Sequence, residues 1–224
     1  MRSFIRCLKL LKYGSCARKQ LTFMLVIAVI GMILEFRSIN SFIGGFYIFL
    51  FPVTIGHMFI SLSMSGLIQS SVLKKKLQVL YPYVVSFPLM LLSLLVVIAH
   101  RVWLIHNGIE SLTDAENRMI QSTSLLEIGI FMFFCFIYFA LVYKFYAPSF
   151  IFFIAFMIPG MVIVQNDTFG ISRLLAIDFR SAVIATIILF ISGNLVSLII
   201  SNLVYKYSLS EYMIKRSVGK MQRQ

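Results

Sequence analysis

The hydrophobic pattern of the chain is a series of long apolar runs broken by short polar ones. Six runs stand out, over residues 20–36, 42–68, 81–105, 125–143, 148–164 and 181–205. A helix rises about 1.5 Å per residue, so about 20 apolar residues cross a hydrocarbon core of roughly 30 Å. The runs predict six transmembrane helices. The first and fifth are the shortest and either could be partly re-entrant; the first can also span if its flanking Lys19 and Glu35 snorkel to the interfaces. Pro52 and Pro88 fall inside the second and third runs as expected kinks, and Pro82 suits a first helical turn. Pro159 is expected to break the end of the fifth.

Residues 1–19 follow a different pattern. Phe4, Leu8 and Leu11 recur at helical spacing with Ile5 beside them, while Arg2, Arg6 and Lys9 take another face. This predicts a basic amphipathic helix lying on the membrane surface. The organisation is thus an interfacial helix at 1–19, a six-span domain at 20–205 and a basic tail at 206–224. The fold class is all-α integral membrane.

Composition agrees with the pattern. Of 224 residues, 60% are hydrophobic and 12% charged, and the mean hydropathy is +0.94. Soluble domains are about 45–50% apolar and about 25% charged. The formal charge of +12 does not point to nucleic acid, because the basic residues cluster at the two ends and in one short loop between apolar runs. With the N-terminus inside, the inner segments hold fifteen Lys and Arg and the outer ones five. That asymmetry predicts both ends in the cytoplasm. Cys7, Cys16 and Cys135 imply neither a disulfide framework nor a metal site.

Candidate chemistry is sparse. Paired acids, an HExxH helix, a serine with its base and a phosphate-binding GxxxxGK[ST] loop are all absent, which argues against an enzyme and against ATP hydrolysis by this chain. Two polar faces occur within the apolar runs. Thr54, His57, Ser61 and Ser65 share a face of the second, and Asn194, Ser197 and Ser201 share one of the sixth. Each face either lines a pathway or joins helices through small hydroxyls. The Phe-rich hairpin of runs four and five either grips an amphipathic substrate or faces lipid. The loop 69–80 is the most distinctive polar feature, with Ser70, Ser71, Lys74, Lys75, Lys76 and Gln78. Its lysines must lie in water or among headgroups, because each would cost about 2.5–3.5 kcal/mol at a helix centre. The loop is either an anchor on anionic lipid or a docking surface for a cytoplasmic partner.

An amphipathic helix before six spans, both ends inside, and a Lys-rich loop between spans two and three resemble the membrane subunits of ABC exporters of the second export class. The stretch SSVLKKKLQVLYP looks like sequences of small bacterial permeases of this type. The resemblance implies a dimer of permease subunits in the bacterial plasma membrane. It implies separate ATPase chains that hold ATP and Mg, coupled through 70–80, with no cofactor on this chain. It also implies short re-entrant helices over about 159–180. Export of a peptide, lipid-like or drug-like molecule would suit the aromatic spans. The competing expectation is a non-transporting immunity, sensory or assembly protein, which the small size and the absence of any evident buried charge pair favour.

Overall fold

The computed structural model describes residues 9, 17–37, 43–64, 66–71, 73–109, 112–166 and 177–215, with backbone alone for 17, 18, 66, 67 and 157–166. The interfacial helix at 1–19 and the chain between 167 and 176 therefore lie mostly outside the described residues. The described chain is helical throughout. In order it forms α1 (Ala17–Arg37), α2 (Ile43–Leu62), the short α3 (Gly66–Gln69) and α4 (Leu73–Lys75), a π-helical turn (Lys76–Leu80), α5 (Tyr81–Asn107), α6 (Asp114–Leu141), α7 (Tyr146–Asn166) and α8 (Phe179–Val204).

Five of these are long and apolar enough to cross a membrane: α1, α2, α4 through α5, α6 and α8. The protein is a multi-pass membrane protein. Its exposed surface fits that solvent, since Phe23, Leu92, Ile151, Ile188 and Leu203 are each more than half exposed. In water such a surface would aggregate; in lipid it is the favourable face.

Helix ends follow local chemistry. Thr113 opens α6 with a capping box: its hydroxyl oxygen accepts from the Glu116 N–H, and the Glu116 carboxylate accepts from the Thr113 N–H. This cap starts α6 well before residue 125, where the apolar run begins. Most of the stretch 106–124 between the third and fourth apolar runs is thereby helix, and the first turns of α6 carry Asn117 and Gln121. Gly108, at φ +71°, ends α5 in a conformation that side chains disfavour. Pro82 sits in the first turn of α5 as expected, and Pro52 lies within α2.

Packing is tightest in two pairs. Helices α1 and α2 are antiparallel and touch so closely at Gly44 that an added Cβ would collide with the backbone of Glu35. Helices α6 and α8 make the most extensive contact and run parallel: Thr186 donates to the Leu125 carbonyl at 3.0 Å, and Ser197 to the Phe136 carbonyl at 2.8 Å. Helix α5 lies between these pairs, packed on α2 and α6. The core joining them is Ile48, Phe49, Leu94, Val97, Leu125, Ile128 and Phe190.

The segment 69–80, expected as a loop, is mostly helical. The π turn runs without a break into α5. The segment expected as a tail begins docked: Leu209 is buried with Met64, Val142 and Tyr143, and the Ser210 N–H donates to the Tyr143 carbonyl.

Candidate functional site: two polar constellations in an apolar bundle

The bundle holds two sets of polar side chains on either side of the apolar core. The first lies at the end away from the lysines and was not anticipated. Glu35, near the end of α1, is fully buried, as is Arg101 of α5. The Arg101 guanidinium donates to Glu35 Oε1 at 2.7 Å. Glu35 Oε2 accepts the Gly45 N–H at 2.8 Å, and His100 Nδ1 lies 3.3 Å from Oε1. The Gly45 N–H belongs to the first turn of α2, where amides have no intrahelical acceptor and the helix dipole favours an anion.

From Arg101 the network continues into α6. Arg101 donates to Gln121 Oε1 at 2.9 Å, Gln121 to Asn117 Oδ1 at 3.2 Å, and Asn117 back to the Leu104 carbonyl of α5 at 2.9 Å. Four helices are thereby tied at one level. The snorkelling expected of Glu35 does not occur, because α2 and α5 cover its carboxylate. Arg101, near the end of the third apolar run and one of the five basic residues assigned to the outer side, is likewise not a flanking charge. The expectation that no buried charge pair exists is overturned. Glu35 and Arg101 interrupt or bound apolar runs, and that was the available signal: an ionisable group at membrane depth calls for a partner. Their separation in sequence hid the pairing.

The second constellation lies in the half nearer the lysines. A cavity of about 40 Å³ is lined by Gly56, His57, Tyr83, Ser86, Asn194 and Ser197 among others. One of about 20 Å³ is lined by Gln78, Tyr143, Lys144, Ser201 and Tyr205 among others. Ile60 and Phe139 line both. The Tyr83 hydroxyl bonds Ser197 Oγ at 2.5 Å and Ser201 Oγ at 2.8 Å. The polar faces of α2 and α8 thus border one cavity through His57, Asn194 and Ser197, and Ser201 borders the other. Thr54 instead returns its hydroxyl to the Leu50 carbonyl of its own helix. Ser61 lines neither cavity, and Ser65 lies outside the described residues.

At the Lys-rich end the candidates separate. Lys75 and Lys76 are exposed, Lys74 is half-buried, and Lys75 Nζ stands 5.0 Å from the Tyr205 ring centre. Ser70 is exposed, while Ser71 donates to the Ile68 carbonyl and accepts from the Leu73 N–H. Gln78 does not face a docking surface: it is buried in the π turn between Leu77 and Val79. Lys144 was not singled out from sequence. It donates to the Tyr207 carbonyl at 2.7 Å and the Tyr205 carbonyl at 3.4 Å, where the end of α8 attracts a cation. Burial, and then the charge of Lys74, lower its pKa to about 8.

Among the described residues no group of His, Cys, Asp and Glu is placed to hold a metal ion. No family model, curated protein or solved structure matches this chain.

Proposed function

We propose that this chain is the permease subunit of an ABC-type transporter, acting as a dimer with separate ATPase chains and moving an amphipathic peptide, lipid-like or drug-like molecule. The observation that carries the reading is the build of residues 73–80. Lys75 and Lys76 face outward, while Leu77, Gln78 and Val79 are buried and the π turn contacts α2 and α8. The turn continues into α5, which crosses the bundle. A force on the lysines from a cytoplasmic partner would therefore act on a helix rather than be lost in a loose loop. Such a linkage suits a two-state rocking of one helix pair against another.

Six spans, with both ends in the cytoplasm, fit this reading. Parallel α6 and α8 need a return crossing between them, and the 21 residues of α7 supply the length. The excess of lysine and arginine favours residues 73–80 on the cytoplasmic side, which supports this reading. The buried Glu35–Arg101 pair removes one of the two grounds for a non-transporting protein, leaving the small size. A path for the proposed cargo between two permease subunits fits this reading, since the two polar cavities are themselves too small for it.

The test is isolation in mild detergent with identification of bound chains. A nucleotide-binding subunit should co-purify, and the K74E, K75E and K76E triple variant should insert normally yet lose that subunit. Absence of any nucleotide-binding partner, with no response of the protein to nucleotide, would refute the reading. Retention of the partner by the triple variant would assign the lysines to lipid anchoring alone.

A further inference from the structure

We propose that the seam between α2, α5, α6 and α8 is a hydration site, binding ordered water from Lys144 as far as His57 and no further. Unpaired polar atoms carry the case first. Both amide atoms of Gln78 and Nε2 of His57 are buried and have no hydrogen-bond partner among the described residues. Gln78 is only 6% exposed. A buried polar group left unsatisfied is strongly disfavoured, and interior water is its usual partner where protein supplies none.

Space and lining agree. A water needs room for about one sphere of its size, about 10–15 Å³, and two to four polar partners. The smaller cavity, about 20 Å³, has Gln78, Lys144 and Ser201 in its wall and fits one water. The larger, about 40 Å³, has His57, Tyr83, Asn194 and Ser197 and fits two or three. The His57 ring also packs in T-shaped contact with Phe139 and Tyr143, with ring centres 4.6 and 5.2 Å away.

The two cavities are joined by a polar rail. Ser197 lines the larger and Ser201 the smaller, and the Tyr83 hydroxyl bonds both. Beyond His57 the rail stops. Phe49, Leu94, Val97, Leu125 and Phe190 close the bundle there as one apolar cluster, and the buried hydroxyls beside it are spent on backbone, Thr186 on the Leu125 carbonyl and Ser93 on the Leu89 carbonyl. The hydrated seam thus opens toward the lysines and ends blind. It gives water, and any proton relayed by water, a route to His57 from one side. This holds whether or not an ATPase partner exists.

The experiment is hydroxyl-radical footprinting of the intact chain in lipid nanodiscs, with radicals generated in H₂¹⁸O by X-ray pulses. Internal water generates radicals beside buried rings that bulk radicals do not reach. Phe136 and Tyr143 line the cavities and are 3% and 5% exposed, while Phe49, Phe59 and Phe190 are equally covered but line neither. Phe136 should incorporate ¹⁸O several-fold faster than Phe49, Phe59 and Phe190, and Tyr143 should be labelled with it. Gln78→Leu, or Ser201→Ala if that variant fails to fold, should lower labelling at Tyr143 and leave Phe49 unchanged. Labelling of Phe136 no faster than Phe49 would overturn the proposal.

Discussion

At the scale of single residues, the chain's stability turns on a few ionisable groups placed where lipid would reject them. Removing one partner of the Glu35–Arg101 pair leaves the other buried and uncompensated, which typically costs about 3–5 kcal/mol, whereas replacing both with apolar groups of similar size is often neutral. Arg101→Met should therefore markedly lower the thermal midpoint in detergent, and the double variant Glu35→Leu with Arg101→Met should recover most of it. A double variant as unstable as the single would show that Gly45, His100 and Gln121 depend on the charges themselves. Lys144 gives a second readout. Burial lowers its pKa to about 8 from 10.5, so between those values the unfolded chain holds more of the proton than the folded one. Stability should then rise with pH across that window, and Lys144 should disfavour folding below it. Its rate of modification by an amine-directed reagent, followed by mass spectrometry, should show a midpoint near pH 8.

At the scale of elements, close approach decides which contacts are polar. Gly44 lets α2 come against α1, and only then can Glu35 reach the Gly45 amide. A methyl group at Gly44 must push the helices apart, and overpacking of this kind costs about 1–3 kcal/mol. At Gly56 a Cβ would meet Ser86 and Pro82 at ordinary distances of 3.5–3.7 Å. Gly44→Ala should thus destabilise the protein, while Gly56→Ala should be tolerated or slightly favourable because alanine is the better helix former. Equal thermal midpoints for the two variants would contradict this packing. The π turn at Lys76–Leu80 is the other decisive element. It buries Leu77, Gln78 and Val79 consecutively beneath the exposed Lys75 and Lys76, and π turns of this kind recur at functional sites.

At the scale of the whole molecule, the parallel run of α6 and α8 fixes which helix ends lie together. In a background with Cys7, Cys16 and Cys135 replaced by serine, single cysteines report this through an impermeant thiol reagent. Lys76→Cys and Ser208→Cys should be labelled from one side of the membrane, and Gly108→Cys and Asp178→Cys from the other. Labelling of Asp178→Cys from the Lys76 side would rule out the return crossing through α7. The same arrangement explains the layering of the bundle. A charged network lies at one level, an apolar plug beneath it, and a polar seam opens toward the lysines.

The sequence by itself determined that this is an α-helical membrane protein and where most helices lie. Twenty apolar residues in a row have few other solvents, and a backbone in lipid has few structures besides helix. It also marked His57, Asn194, Ser197 and Ser201, because polar groups in apolar runs are visible without a fold. What it could not supply was partnership. Glu35 resembles a flanking charge until α5 brings Arg101 to it, and Gln78 resembles a loop residue until the π turn carries it inward. Helical periodicity assigns a residue to a face of its own helix. Which face meets which, and at what depth, follows from long-range packing between helices far apart in the chain, and only the tertiary structure decides it.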